Sequence, residues 1–418
     1  MSILSQFKRW WNNDMNSVID NKDFFYSADI EKMYKLYNNE AEWVNREIVY
    51  SLNLGKAIVK EVSKTATQEF DFEVETKNKD VISAYEFLNK NKREILNHLQ
   101  IGGKVALKPY ISDNRVLMSV VSALDFKVEY DALGRVFKVF FKTDIFEGSS
   151  KYRLIEEHTQ DYNTNTYKIE YKLLKDNTQV LLHKLPQFEK LDDFVVLEEI
   201  PKHLCTIITI DTPIFSDAYE LIEQADKQYS RILWEYEGGE LAINANADLF
   251  RKSGSSNNKT YELPNGKKRL YRTLETDIQD FTIDTYAPQL RDDAYLRGLN
   301  ALKREIEFAC GLAYGTLSEP SEVEKTATEI VVSKQRYYVT ISDIRSAFIE
   351  GIEDILGSIS LLSSRIAINA KLIDTTYKVI YDIGDSILTT SKEKLEEKLL
   401  LYDKGLLTIE EFKEWYNS

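Results

Sequence analysis

Histidine and cysteine, the side chains best suited to bind transition metals, are few and scattered in this sequence of 418 residues. The four histidines are His98, His158, His183 and His203. No two of them stand at a spacing that would place two imidazoles on one helix face. Cys205 and Cys310 are isolated, without the paired spacing of a thiolate metal site or a redox dithiol. We therefore expect no metal site and no other cofactor.

Paired carboxylates are the second group that could support catalysis, because they can hold two metal ions for nuclease or nucleotidyl-transfer chemistry. The pairs are Asp192 with Asp193, Asp277 with Asp280, and Asp292 with Asp293. The last pair follows Arg291 on the flank of a helical pattern, where charged side chains usually form a solvated face. The chain also lacks the glycine-rich phosphate loop and the G-x-S-x-G nucleophile motif. We therefore expect no catalytic residue and no enzymatic activity.

The charge balance limits the kinds of partner that the chain can bind. The net charge of −14 argues against a protein that grips a phosphate backbone over most of its surface, because such proteins use Lys and Arg to displace counterions. It is compatible with a wall along which DNA slides, since an acidic surface repels phosphates. No apolar run is long enough to cross a bilayer, so we expect no membrane partner.

One segment is strongly basic against this acidic background. Between residues 251 and 272 only Glu262 opposes a set of basic side chains, which are Arg251, Lys252, Lys259, Lys267, Lys268, Arg269 and Arg272. Such a cluster could bind an acidic protein surface or DNA. A hairpin that is merely soluble is the alternative interpretation.

The first half of the chain must supply most of the scaffold. Residues 30–99 carry apolar positions mostly at helical spacing, with a short strand predicted at 70–74. The pattern changes at Gly102-Gly103, after which short strands are predicted at 105–110, 116–121, 126–130, 136–142, 152–156 and 167–173. Asp131 to Gly134 has the composition of a tight turn. An antiparallel meander follows from this series.

The second half predicts two helices around a strand-rich insertion. The first helix is capped by Ser216 and stopped by Gly238-Gly239, with Ile222, Ala225, Tyr229, Ile232 and Tyr236 as its apolar stripe. Apolar and polar residues then alternate over 241–249, which predicts a strand with one solvent-exposed face. The second helix is predicted over 289–312, with Tyr295, Leu299, Leu302, Ile306, Ala309 and Ala313 as its stripe. The flanks of such helices can meet neighbouring molecules.

A polar loop over 315–325 leads into the last helical region. Thr326 and Glu329 stand three residues apart, which predicts a capping box. A long helical pattern continues from Ile330 to Ile355, and two further capped helices are predicted to begin at Thr390 and Thr408.

This order of elements and the local sequence resemble the portal proteins of tailed bacteriophages, of the siphovirus type. The most specific likeness runs from Gln289-Leu290-Arg291 through Gly311-Leu312 and Gly315-Thr316 to Lys325-Thr326-Ala327-Thr328-Glu329-Ile330. This stretch is similar to the family's stem helix, channel loop and following helix. Weaker likenesses are found at Gly102-Gly103-Lys104, Asp226 and Asp385-Ser386-Ile387. The loop departs from the family pattern, because acidic residues stand where glycines are usual.

The resemblance implies an α+β portal fold with a helical stem, a mixed α/β wing, a small clip and a C-terminal helical crown. Residues 1–215 would form the wing, with a helical N-terminal part and an antiparallel sheet. Residues 216–239 and 288–312 would be stem helices, with the clip at 240–287 between them. Residues 313–325 would be the channel loop, 326–384 a long helix and a return to the wing, and 385–418 the crown.

The resemblance also assigns roles to particular residues. The channel loop that touches DNA would include Ser318, Glu319, Pro320, Ser321, Glu322, Val323, Glu324 and Lys325, followed by the Thr326 and Glu329 cap. The basic cluster would be the exposed surface of the clip.

A portal subunit belongs to a closed ring of about twelve copies with heterologous interfaces. The implied partners are further copies of the chain, the large terminase subunit, a head–tail adaptor, and the major capsid and scaffolding proteins. Double-stranded DNA would pass through without sequence-specific recognition during packaging and ejection. The ring would sit at one vertex of the virion capsid and assemble in the cytoplasm of a bacterial host.

Two alternatives remain at this point. One is a different virion protein, such as another head–tail connector or a minor capsid component. The other is a metal-dependent enzyme that processes nucleic acids with the Asp pairs, for which activity with Mg²⁺ that disappears in Asp292→Asn would be diagnostic.

Overall fold

The computed structural model describes twelve stretches of the chain: residues 27–45, 47–68, 70–112, 115–176, 178–189, 191–246, 251–253, 260–262, 271–274, 283–319, 327–366 and 375–384. Several predictions lie outside these stretches. They are Lys259, Lys267, Lys268 and Arg269 of the basic cluster, the loop from Pro320 to Lys325, Thr326 of the capping box, and the crown at 385–418.

The described residues form a mixed α+β structure, as predicted. The helices are α1 (Ala28–Tyr37), α2 (Leu54–Thr67), α3 (Lys79–Gly102), α4 (Tyr219–Gly238), α5 (Asp292–Ala309) and α6 (Ala327–Ile366). The strands are β1 (Phe70–Thr76), β2 (Lys104–Ser112), β3 (Arg115–Ser122), β4 (Phe126–Tyr130), β5 (Val136–Glu147), β6 (Ser150–Asp161), β7 (Thr166–Lys175), β8 (Thr178–Val180), β9 (Phe194–Leu197), β10 (Thr206–Thr209), β11 (Ala242–Asn246), β12 (Arg251–Ser253), β13 (Thr260–Glu262), β14 (Tyr271–Leu274), β15 (Ile283–Tyr286) and β16 (Tyr377–Ile383).

The predicted meander is confirmed as strands but is divided between two sheets. Strands β2 and β3 pair with each other, and β10 joins the free edge of β2 to make a three-stranded antiparallel sheet. Strands β4 to β8 follow in order in a second sheet, in which β9 also pairs with β7. The turn predicted between β4 and β5 is present, with Gly134 at φ +77° and the Asp131 carboxylate accepting hydrogen bonds from two turn amides.

The change of sequence pattern at Gly102-Gly103 coincides with the boundary between helix α3 and strand β2. Helix α3 ends at Gly102, and Gly103 takes the left-handed conformation (φ +70°) that lets the chain reverse into β2. A side chain at Gly102 would also collide with Ala123, because an added Cβ would stand 2.5 Å from the Cβ atom of Ala123. The helix and the sheet can therefore approach closely at this point.

Helix α6 forms the centre of the apolar core. Its buried residues include Ile341, Phe348, Ile352, Ile355 and Ile359, and it packs against α2, α3 and the sheet formed by β2, β3 and β10. The long apolar pattern predicted from Ile330 onward is confirmed as one continuous helix of 40 residues.

After α6 the chain returns to its N-terminal part. Strand β16 pairs antiparallel with β1, so that Phe70 faces Ile383 and Thr76 faces Tyr377. The buried Arg345 of α6 secures this junction, because its guanidinium donates to the carbonyl oxygens of Ala66, Thr65, Gln68 and Gly384. Helix α6 thus binds the end of α2 to the end of β16.

Three predicted elements have described boundaries that differ from the prediction by one to three residues. Ser216 does not cap α4, which begins at Tyr219 after Ala218, because the Ser216 amide instead closes a turn with the carbonyl of Pro213. Helix α5 covers 292–309 instead of 289–312, since Gly311 at φ +66° ends it. The strand predicted over 241–249 begins at Ala242 and is described as far as Asn246.

Candidate functional site

Helices α4 and α5 form an antiparallel hairpin that an ion pair holds at the end where the inserted strands connect the two helices. The Arg291 guanidinium meets the Glu235 carboxylate with two hydrogen bonds, Nη2 to Oε2 at 2.7 Å and Nε to Oε1 at 3.0 Å. The Arg291 amide also donates to Glu235 Oε1 at 3.1 Å. This bidentate geometry fixes both the orientation and the register of the two helices. The side chain of Gln228 adds a bond to the Tyr295 carbonyl farther along the hairpin.

The predicted apolar stripes face each other inside this hairpin. Ile222, Ala225 and Ile232 of α4 are buried, as are Leu299 and Ile306 of α5. Tyr236, the last member of the α4 stripe, is exposed, so the apolar seam ends before the ion pair.

The Asp226 carboxylate attaches an irregular segment of the N-terminal part to α4. It accepts hydrogen bonds from Trp43 Nε1 at 2.9 Å and from the Leu52 amide at 2.7 Å. On the next turn of the helix, Ser230 Oγ accepts from the Tyr50 amide at 2.9 Å. Burial raises the pKa of Asp226, while the Trp43 and Leu52 donors act in the opposite direction. In the sequence, Asp226 stands out only by its position in the helix before the strand-rich insertion.

Small strands connect the two helices at the end where Glu235 and Arg291 lie. Strand β11 is central, with β14 parallel on one side and β15 antiparallel on the other, and β12 pairs with β13. Of the predicted basic cluster, the backbone of Arg251 and Lys252 lies in β12 and that of Arg272 in β14. These three residues therefore belong to the strand-rich insertion, as their sequence positions predicted.

Helix α5 ends in a left-handed glycine motif that begins at Glu307. The Leu312 amide donates to the Glu307 carbonyl at 2.8 Å, and the Gly311 amide donates to the Phe308 carbonyl at 3.2 Å. These two bonds satisfy carbonyl groups that the helix itself leaves free. Leu312 is buried, so the chain turns back toward the protein after the helix.

The Glu307 side chain then binds the residues that follow this turn. Its carboxylate accepts hydrogen bonds from the amides of Gly315, Leu317 and Ser318, and from the Ser318 hydroxyl at 2.8 Å. Glu307 is fully buried, and these four donors replace the water that its charge would otherwise need. We refer to this arrangement, Glu307 with Gly315, Leu317 and Ser318, as the Glu307 clamp.

The clamp corrects one predicted site residue. Ser318 was expected to lie in a loop that protrudes and touches DNA, but only 6% of it is exposed and both its amide and its hydroxyl are bound to Glu307. Glu319 is exposed, and its amide donates to Asn300 Oδ1 at 2.8 Å. The start of the predicted loop therefore runs back along α5.

Arg336 connects the beginning of α6 to the end of α5. Its guanidinium lies 4.7 Å from the ring centre of Phe308 and 4.9 Å from that of Tyr314, and it donates to the Leu312 carbonyl at 3.1 Å. Glu329 lies in the first turns of α6, but its side chain is not among those described. The capping box predicted with Thr326 stays a prediction.

The outer face of α4 carries an apolar groove of about 970 Å³. Trp234, which is 68% exposed, and Tyr236 line it from the helix, and Ile48 and Tyr50 line it from the segment held by Asp226 and Ser230. Helix α5 exposes Leu296 and Phe308 on its own outer surface. Large exposed apolar groups in such positions are typical of protein–protein contacts.

The sheet region brings together histidines that the sequence separates. His158 Nδ1 lies 2.9 Å from the Tyr167 hydroxyl and 3.7 Å from Cys205 Sγ, and His203 Nε2 lies 3.4 Å from the His158 carbonyl oxygen. Burial acts to lower the pKa of His158, but the Cys205 sulfur and the Glu156 carboxylate raise it to about 9. Burial and the nearby His158 lower the pKa of His203 to about 4.

This cluster is closed to solvent, because His158, His203 and Cys205 are all buried. A substrate has no route to it, so its chemistry is that of an internal polar network. Within the stretches that the structure describes, no three His, Cys, Asp or Glu side chains are close enough together to hold a metal ion.

The carboxylate pairs have ordinary structural surroundings where they are described. Asp292 Oδ1 accepts from the Asp293 amide at the start of α5, and the Tyr236 hydroxyl approaches Asp292 Oδ2 at 3.5 Å. The Asp193 carbonyl accepts from the Tyr171 amide as part of strand pairing near β9. Asp277 and Asp280 lie outside the described residues.

None of the described helices is both long and apolar enough to span a membrane. No model of a known protein family matches the chain. Comparison with curated proteins likewise found no significant match.

Proposed function

We propose that this chain is the portal subunit of a tailed bacteriophage or prophage, one of about twelve copies in a closed ring at a capsid vertex. The observation that carries the proposal is the order of elements around the helical hairpin. This order is helix α4, the small strands β11 to β15, helix α5, the turn that Glu307 binds, and the long helix α6. The portal proteins that the sequence resembles have the same order.

In this proposal α4 and α5 are the stem, and the strands between them are the clip. The described residues up to 215 form the wing, to which β16 returns by pairing with β1. The clip, with its basic side chains, meets the large terminase subunit during packaging and a head–tail adaptor afterwards. The wing contacts capsid and scaffolding proteins.

The charge of the chain supports a role in conducting DNA without holding it. A ring of subunits that each carry a net charge of −14 repels the phosphate backbone, so the polymer is not retained by specific contacts. Glu319, exposed just after the Glu307 clamp, would contribute one carboxylate per subunit to an acidic collar. Double-stranded DNA would therefore slide through in both packaging and ejection.

A closed ring also requires two different faces on each subunit, one for each neighbour. The hairpin offers two candidates: the groove on α4 beside Trp234, and the surface of α5 around the exposed Leu296. Contact between these faces on adjacent copies would cover both sets of apolar groups.

Negative-stain imaging of the purified chain tests the proposal. We expect rings of about twelve subunits with a central hole and a narrow stem that projects from a wider wing. Rings without a projecting stem would favour another head–tail connector or a minor capsid protein. Single subunits at high protein concentration would contradict the proposal.

A further inference from the structure

Two side chains of α5 determine the path of the chain after the helix. Glu307 binds residues 315 to 318 through four donors, and Asn300 binds the amide of Glu319. Asn300 lies nine residues before the end of α5 at Ala309, which corresponds to about 14 Å along the helix axis. The segment therefore doubles back along the helix for that distance.

We infer that Glu307 is a positioning residue that makes Gly315 to Ser318 part of the fixed wall of the hairpin. Of the two described residues of the predicted channel loop, Ser318 then belongs to this wall and Glu319 is free to face the channel. The description of this segment as a channel loop rests on the proposed function. The clamp itself, and the experiment below, do not depend on it.

The strength of the clamp follows from burial and charge. Each of the four hydrogen bonds ends on an ionised carboxylate, and bonds of this kind are about twice as strong as neutral ones. Removing the acceptor would leave the amide and the hydroxyl of the buried Ser318 without a partner, which is more costly than never having made the bonds. The other hydrogen bonds described for residues 315 to 318 are local, since the amide and the hydroxyl of Thr316 both donate to the Ala313 carbonyl within the turn.

Thiol labelling can locate the boundary between wall and loop. The native cysteines, Cys205 and Cys310, are both buried, so they give a low background of reaction with a water-soluble maleimide. We expect Glu319→Cys to react at a rate close to that of an unfolded peptide. Ser318→Cys should react at least roughly tenfold more slowly, because a position inside the clamp opens only rarely.

A second substitution shows whether Glu307 causes the protection. In the Ser318→Cys background, where a thiol already replaces the hydroxyl donor, Glu307→Ala should raise the labelling rate by roughly tenfold, because alanine leaves the three amides that donate to Glu307 Oε1 without an acceptor. Glu305→Ala is the matched control, since it makes the same change on the exposed side of the same helix and should leave the rate unchanged.

Amide hydrogen exchange provides a measurement without cysteine substitutions. Glu307→Ala should accelerate exchange at residues 315, 317 and 318, whereas Asn300→Ala should accelerate it at residue 319 alone. Equal labelling of the two cysteine variants, or unchanged exchange in folded Glu307→Ala, would overturn the inference. Neither result would bear on whether the chain forms rings, which imaging of the unmodified protein tests separately.

Discussion

The carboxylate of Glu235 and the guanidinium of Arg291 join the two helices of the hairpin where the small strands enter and leave it, with Arg291 Nη2 and Glu235 Oε2 2.7 Å apart. The Arg291 hydrogen bonds lower the pKa of Glu235. The same carboxylate accepts the Arg291 amide just before α5 begins, so one residue sets both the register of the hairpin and the start of its second helix.

Replacement of Arg291 should therefore destabilise the hairpin even when the positive charge is kept. We expect Arg291→Lys to lower the free energy of unfolding, because a lysine ammonium cannot make the two parallel bonds of a guanidinium. Chemical denaturation measures the change. Arg231→Lys on α4, an exposed arginine without a carboxylate partner among the described contacts, is the control and should have little effect. Equal stability of both variants would contradict the assigned role.

Gly311 should tolerate no side chain. Its φ of +66° is unfavourable for other residues, and an added Cβ would lie 2.3 Å from Thr340 Oγ1 of α6. We expect Gly311→Ala to cost about 2–3 kcal/mol of unfolding free energy, from backbone strain and overlap together.

Gly315→Ala separates these two causes. Gly315 has φ +90° but no atom within 4 Å of an added Cβ, so only the strain of about 1 kcal/mol remains. If the two glycine variants were equally stable, contact between the end of α5 and α6 would not matter for stability.

The Glu156 carboxylate should make the stability of the sheet region sensitive to acid. Burial acts to raise its pKa, but His158 and the Lys108 ammonium, 2.6 Å away, lower it from 4.5 to about 2. A group whose pKa is lower in the folded state contributes stability that is complete above its unfolded pKa and is lost as the pH falls through its folded pKa. The contribution should therefore disappear between pH 4.5 and about 2.

Denaturation curves measured across this interval test the assignment. The unmodified protein should lose roughly 2–3 kcal/mol more stability than Glu156→Gln, which has no carboxylate to protonate at this position. Parallel pH dependence of the two proteins would show that Glu156 is not responsible.

The groove beside Trp234 should be covered in the proposed ring. We expect Trp234→Glu to leave the monomer folded, because the side chain is 68% exposed, but to prevent ring formation by placing a charge in an apolar contact. Phe146→Glu is matched in exposure, at 70%, and lies on β5 away from the hairpin. Size-exclusion chromatography should show rings for Phe146→Glu alone; rings of normal size from Trp234→Glu would exclude this face from the interface.

The basic cluster should be needed for DNA packaging or tail joining, and not for the formation of the ring. We expect joint replacement of Lys267, Lys268 and Arg269 by Glu to leave rings intact but to block DNA packaging or tail joining, because the clip would repel its acidic partners. The control reverses three exposed lysines of α2, Lys56, Lys60 and Lys64, and changes the net charge equally. Normal infectious particles from the clip variant would count against the clip assignment.

The elements that the sequence predicted best are those with a strong local pattern. The stripes of α4 and α6 repeat at helical spacing, and Gly103 and Gly134 reverse the chain through their own left-handed conformations, so neighbouring residues suffice to find these features. The pairing of β1 with β16 could not be predicted in this way, because its partners lie about three hundred residues apart.

The Glu307 clamp and the His158 cluster were missed for a related reason. Glu307 looks like one more charged residue on the flank of a helix, and only the return of the chain over 315–318 shows why it is buried. His158, Tyr167 and Cys205 come from β6, β7 and the residue before β10, and no spacing in the sequence links them. The contacts among these three side chains depend on the order of the strands in the sheets.

Sedimentation of the purified chain shows whether adjacent copies close into a ring. We expect one dominant species of about twelve times the 48.6 kDa chain mass, unchanged on dilution over the working range. A species of 48.6 kDa at every concentration would contradict it.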